Sequence, residues 1–449
     1  MKRINYLKTT GLIAGGVLSL STVAQAKEQT KKPNIIFILA DDLGYAEVGC
    51  NNADNYKTPN IDKLASEGIR FTNAYANPLS GPSRAVLLTG RYNFRTGATN
   101  QDACSEVFSP NEKMIPFYLK PAGYVSTSIG KWGQLPLDPS DFGFEDYLRF
   151  YGSGIYWNND DRKQRYRQNG VDLILKENEY MPDLMHRELV TFMTKNKNKP
   201  FFAYYSLSHV HGEIVKTPDS KPDTKDFYED NISYMDKLVG KLRSELNRLK
   251  ISDNTIIIFF SDNGTAGPRA DAATIGGRRL IGQKGKMEEG GSLEPLIVYW
   301  PGVTPKGKVC SDLISSTDFI PTFAEIAGVK LPTDVILDGQ SFNAQLHGQQ
   351  GTARNSLFVQ LANNYWVRSK EWKLNQSGEL FDMRKAPFEE ILVPANTESP
   401  EATAARKSLQ AELDRLNPKA GYIDTGDGTG RHAAKSKKKD KKGDKNTEE

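Results

Sequence analysis

The chain has 449 residues, a quarter of them charged, and a formal net charge of +4, enough for one large domain with a smaller companion. The positive excess sits at the ends: residues from Arg431 onward contribute a net +4 and the first 26 a further +3, which leaves −3 on the body and argues against a basic face for nucleic acid. Three cysteines, Cys50, Cys104 and Cys310, are too few and too scattered for a disulfide framework or a zinc site, although one pair could close after export.

The first segment, MKRINYLKTTGLIAGGVLSLSTVAQA, sets Lys2, Arg3 and Lys8 before a short apolar stretch and ends on Ala24-Gln25-Ala26. That is the layout of a secretory signal with an A-x-A cleavage site, and its apolar part is too short for a spanning helix. Residues 1–26 are therefore set apart from the fold, and the mature chain is expected to be periplasmic or secreted, with no transmembrane segment. Next, KKPNIIFILADDLG reads as a buried parallel strand delivering Asp41 and Asp42 at its carboxyl end. TPNIDKLASEGIRFTNAYA reads as a helix followed by a strand, and PLSGPSRAVLLTG as a loop opening into a short apolar helix. GYVSTSIGKWG is a strand ending at Lys131, and a helix near Pro182–Lys195 leads into KPFFAYYSLSHVHG, a strand with His209 and His211 beyond it. SDNTIIIFFSDNGTAG repeats the pattern with Asp262 and Asn263, and EPLIVYWPG is one more strand.

At least five apolar strands thus alternate with helices and gather polar residues at their carboxyl ends, where open α/β sheets place their sites. The expected fold class is α/β: a doubly wound mixed sheet flanked by helices over residues 27–348. Short β-like segments and an amphipathic helix near Glu401–Leu416 then predict a smaller antiparallel sheet with one helix over 349–420. The Lys-rich end, 421–449, reads as a disordered, solvating tail that can also tether to an anionic surface.

Asp41, Asp42, Asp262 and Asn263 form an all-oxygen quartet suited to Ca²⁺ or Mg²⁺ rather than zinc. Either pair alone is ordinary strand-to-turn punctuation; what favours the metal is their company with Ser80 and Arg84. Ser80, before Gly-Pro-Ser-Arg, has two readings: part of a capped helix start, or a nucleophile at a positive helix N-terminus with an arginine beside it.

PNIIFILADDLGY, TPNIDKLASEGIRFTNAYA, SGPSRAVLLTGR, GKW, SDNG and GQKGKMEEGG…EPLIVYWPG stand in the order found in type I sulfatases, so the chain resembles that family of the alkaline phosphatase superfamily from about Pro33 to Phe342. The resemblance implies an alkaline-phosphatase-like fold and hydrolysis of sulfate esters. It implies that Ser80, opening a serine form of the C/S-x-P-x-R motif, is oxidised to formylglycine (3-oxoalanine) by an anaerobic maturase acting before export. It implies Ca²⁺, with Mg²⁺ the lesser alternative, held by Asp41, Asp42, Asp262 and Asn263 against Ser80. Arg84 would hold the formylglycine hydroxyl, Lys131 and Lys284 would contact sulfate, and His211 would bind substrate and protonate the departing sugar oxygen, with His209 as a less favoured substitute. Export with a serine-type motif resembles bacterial sulfatases that trim sulfated polysaccharides, so a sulfated carbohydrate is the expected substrate.

Two departures stand out. The family's Gly-Lys-Trp-His reads GKWGQL here, so Gly133 replaces a histidine that assists sulfate expulsion, with Gln134 beside it. Gly212 and Glu213 follow His211, where proline is common. Residues 138–180, rich in aromatic, amide and basic side chains, read either as a sugar-contacting segment or as a polar insertion. Two rivals remain: a phosphatase or phosphodiesterase using an unmodified Ser80, poorly supplied with histidine ligands, and a catalytically degenerate binder of sulfated glycans.

Overall fold

The computed structural model describes residue 1, residues 31–158 and residues 164–424. The expected signal peptide and nearly all of the basic tail lie outside these residues. Residues 32–449 cluster as one unit apart from residues 1–31, and that unit is described here.

Its centre is a ten-stranded mixed sheet. The strands are β1 (Asn34–Ala40), β2 (Ile69–Tyr75), β3 (Val125–Gly130), β4 (Asp146–Phe150), β5 (Arg165–Gln168), β6 (Val171–Ile174), β7 (Phe201–Ser206) and β8 (Thr255–Ser261). After a two-stranded hairpin, β9 (Thr274–Ile275) and β10 (Arg278–Arg279), come β11 (Leu293–Tyr299) and β12 (Lys308–Ser315). The order across the sheet is β12-β2-β11-β8-β1-β7-β3-β4-β5-β6. β8, β1, β7, β3 and β4 run parallel, while β11 is antiparallel to both β2 and β8. The mixed doubly wound sheet expected from the strand pattern is therefore present.

β1 is buried along its whole length because both faces of the sheet are covered. Its side chains alternate between two cores: Ile36 and Ile38 pack with Met185, Leu189 and Leu238, whereas Ile35, Phe37 and Leu39 pack with Phe319 and Phe323. One covering helix, Tyr228–Arg248, is not announced by the strand-end pattern. It buries Ile232, Met235, Val239, Leu242 and Leu246 at helical spacing on an otherwise polar stretch. Two further helices cover that face: Pro59–Glu67, through Ile61 and Leu64, and Met181–Asn196, which falls within a residue of expectation.

Register sets the site. Ala40 lies beside Ser261, Leu39 beside Ser206, and Gly130 beside Ser206. The carboxyl ends of β1, β8, β7 and β3 are therefore level, and the residues that follow them emerge on one edge.

A five-stranded antiparallel sheet, β13 (Leu357–Leu361), β14 (Asn364–Arg368), β15 (Trp372–Asn375), β16 (Leu380–Asp382) and β17 (Ile391–Val393), follows with the Pro400–Leu416 helix. Leu409, Leu413 and Leu416 of that helix share a core with Phe358, Val367 and Leu374 and with Tyr92 and Phe94. No helix among the described residues is long and apolar enough to cross a membrane. Cys50, Cys104 and Cys310 are all free.

Candidate active site

Ser80 is the first residue of the buried Ser80–Thr89 helix, after Leu79 at the cap position. Its hydroxyl does no capping. It donates to Asp262 Oδ2 at 2.5 Å and accepts from Arg84 Nε at 2.9 Å. The first-turn amide of Gly81 is satisfied instead by Gln101 Oε1 at 3.0 Å. Ser80 and Arg84 lie one turn apart, which is why the guanidinium reaches back to the hydroxyl.

Arg84 is fully buried. Its Nη2 lies 2.6 Å from Asp262 Oδ2 and 3.7 Å from Asp41 Oδ1. Its Nη1 donates to Lys131 O at 3.0 Å and Tyr204 OH at 3.3 Å, and also to Ser206 Oγ. The planar fork thus joins the Ser80–Thr89 helix to β7 and to the residues that follow β3 and β8, a geometry lysine lacks.

Asp41, Asp42, Asp262 and Asn263 are all buried, and Asp262 touches Ser80 directly. Lys131 Nζ contacts both Asp41 oxygens at 2.8 and 2.6 Å, and Lys284 pairs with Asp42. Asp42 N donates to Asp262 Oδ1 at 3.2 Å, and Asn263 Nδ2 donates to Asp42 Oδ1 at 2.9 Å. Three carboxylates therefore face three cations in a water-poor cluster. Burial alone raises each carboxyl, but Arg84, Lys131 and Lys284 outweigh it at Asp262, which is held well below the ordinary range. At Asp42 burial is likewise overcome, chiefly by Lys284, whereas at Asp41 burial prevails over Lys131 and the carboxyl is pushed up.

Above this floor lies a pocket of about 180 Å³ lined by Ser80, Lys131, Lys284, His211, Gln134 and Gln101, among others. His211 is half-buried, and a ring nitrogen lies within 4.8 Å of carboxylate oxygens of Asp41 and Asp42. Its Nδ1 is 2.6 Å from Gly212 O, so that nitrogen carries the proton and donates. His209 is excluded from the pocket. It is fully buried, its Nε2 is 2.9 Å from Tyr180 OH, and burial presses its pKa down to about 3.

All the expected site residues therefore come together on one sheet edge. Gln101, Asp102 and Ser153 also line the pocket; Ser153 falls in the 138–180 segment, whereas Gln101 and Asp102 lie in a loop with no periodic or motif signal, so only the tertiary structure finds them. Gly133 has φ +80, and a Cβ there would lie 3.1 Å from Arg84 Cδ. A side chain at 133 meets the arginine that holds Ser80, while Gln134 reaches the pocket rim.

The aromatic segment after β4 does not present its rings to the pocket. Tyr156 and Tyr180 are buried, stacked on each other with 6.1 Å between centroids, and Trp157 Nε1 donates to Lys216 O at 2.7 Å. Arg149 and Arg167 are paired with Asp138 at 2.7 and 2.8 Å. Of this segment's described residues, Ser153 is the one that lines the pocket.

The chain is similar to known proteins over the span that builds this pocket. The Sulfatase family model matches residues 33–329, and that of the N-sulphoglucosamine sulphohydrolase C-terminal region matches residues 282–419. The chain is 31% identical over 393 residues to the N-acetylgalactosamine-6-sulfatase of Canis lupus familiaris, spanning 77% of this chain and 74% of that protein. It is 30% identical over 380 residues to the arylsulfatase of Hemicentrotus pulcherrimus, spanning 77% and 68%. The crystal structure of Ps i-CgsB in complex with k-i-k-neocarrahexaose is similar with a TM-score of 0.75 and 30% identity, over 86% of this chain and 93% of that one. The match runs from β1 through the Phe319–Ala327 helix and takes in every strand end that borders the pocket, so the chain belongs to the sulfatase family and is a sulfuric ester hydrolase.

Proposed function

We propose that this sulfatase is an exported enzyme that removes sulfate from carbohydrates, with a formylglycine made from Ser80 as its nucleophile. The observation that carries the nucleophile is the Ser80 hydroxyl, bonded to Arg84 and Asp262 at the floor of a pocket bearing Lys131, Lys284 and His211. The carbohydrate substrate is supported by the relatives: one is named N-acetylgalactosamine-6-sulfatase, and one structural neighbour is in complex with k-i-k-neocarrahexaose. A serine-type motif calls for an anaerobic maturase acting on Ser80 before export to the periplasm or beyond.

The oxygen donors fit a hard cation. Asp41, Asp42 and Asp262 converge, and Asn263 Oδ1 beside them is buried with no hydrogen-bond partner. With Ser80 these residues would hold Ca²⁺, Mg²⁺ being the alternative. Bound there, the cation would polarise a sulfate oxygen and lower the nucleophile's pKa, and the aldehyde hydrate would add a second hydroxyl through which the sulfated enzyme is relieved.

The chain's own residues do the rest. Asp262 accepts the Ser80 proton's hydrogen bond, and Arg84 fixes the oxygen from the other side. Lys131 and Lys284 bring positive charge to the pocket wall, where a sulfate monoester carries its negative charge. His211 donates a proton to the departing sugar oxygen, with its Nδ1–H anchored on Gly212 O and the other ring nitrogen left for the substrate.

The test is the mass of the Ser80 peptide from full-length chain produced with a serine-type anaerobic maturase. Loss of two hydrogens, or the hydrated aldehyde mass, is expected. An intact serine in enzyme that still releases sulfate overturns the formylglycine reading and leaves Ser80 itself as the nucleophile.

A further inference from the structure

The 151–158 segment grips the loop that carries His211 at two separate points. Tyr156, 3% exposed, places its hydroxyl 2.9 Å from Ser208 O and 2.9 Å from His211 O. His211 N itself donates to Ser208 O at 2.9 Å, so the same phenol closes both ends of one tight turn. The second point is Gly154, with φ +69. A Cβ there would lie 2.5 Å from Gly212 O, the carbonyl that accepts from His211 Nδ1. Only glycine permits that approach. The other side of the turn is tied to β1: Asp41 N donates to His209 O at 2.8 Å, and Val210 N donates to Asp41 O at 2.6 Å.

From these contacts we infer that Tyr156 is a positioning residue that, with Gly154, aims His211 at the leaving oxygen. This rests on His211 being the leaving-group acid. A proton donor is effective only within hydrogen-bond reach of the atom it protonates. A free loop would spread the imidazole over many orientations, and the phenol removes that freedom without touching substrate. Tyr156 thus serves the acid rather than a sugar ring.

The experiment compares matured full-length wild type with Y156F, G154A and H211Q on 4-nitrophenyl sulfate, whose leaving group departs as a stable anion, and on phenyl sulfate, whose leaving group needs the proton more. H211Q is expected to slow kcat for phenyl sulfate at least tenfold more than for 4-nitrophenyl sulfate. Y156F and G154A are expected to show the same preference, about fivefold, as one positioning hydrogen bond is lost. A structural defect alone slows both substrates equally. Equal loss or no loss in Y156F, with the preference intact in H211Q, overturns the inference. No preference in H211Q overturns the assignment of the acid instead. G154A displaces the Gly212 carbonyl while leaving the phenol in place, so it decides the question if Y156F does not fold.

Discussion

Replacing Arg84 with methionine removes a buried charge while keeping much of the side chain's bulk, and its surroundings set the scale of the loss. The guanidinium is fully buried, 2.6 Å from Asp262 and 3.7 Å from Asp41, with further bonds to Ser80 Oγ, Lys131 O, Tyr204 OH and Ser206 Oγ. Breaking a desolvated pair by removing one partner costs about 3–5 kcal/mol, because the remaining charge stays buried. Arg84→Lys keeps the charge, but one ammonium cannot span all of these acceptors, so about 2 kcal/mol is lost through unmade hydrogen bonds. Urea unfolding followed by tryptophan fluorescence, in EDTA so that bound cations contribute nothing, measures both. The expected order is wild type, R84K, R84M. If R84M unfolds within about 1 kcal/mol of wild type, the guanidinium is not the desolvated hub described.

Ca²⁺ should raise the melting temperature of the wild type, and Asp262→Ala should abolish both that rise and sulfate release, read by scanning calorimetry with and without the cation; a rise retained in the variant would place the cation elsewhere. Gly133→Ala forces a side chain into a left-handed backbone and against Arg84 Cδ at 3.1 Å, so about 1–2 kcal/mol of stability should go, with a fall in kcat; a variant as stable and active as wild type would show the loop to be free to move. Burial lowers the pKa of His186 from 6.5 to about 4, so the folded chain takes up its proton less readily than the unfolded one. Its contribution is complete above 6.5 and declines as pH falls toward 4, by about 2 kcal/mol between pH 7 and pH 5. His186→Leu should flatten urea stability against pH in that window, and an equal slope in variant and wild type refutes the burial.

The sequence by itself determined the strands and what they deliver. Runs such as NIIFILA and TIIIFFS are apolar throughout, so they belong in a sheet covered on both faces, and the carboxylates that end them must emerge where parallel strands stop. Spacing alone also joined Ser80 to Arg84, because four residues make one helical turn. Covalent neighbours and short-range periodicity carry such information. Contacts between remote segments are carried by neither, and these only the tertiary structure decided. His209 and His211 stand two residues apart, yet one is sealed beneath Tyr180 and the other faces the pocket, since a tight turn between them reverses the chain. Gln101 caps Gly81 across a loop without any motif. From sequence the aromatic residues near Tyr156 read as a sugar-contacting segment or as a polar insertion, but folding turns Tyr156 inward, because stacking it on Tyr180 and His209 buries apolar area that an open pocket would leave in water.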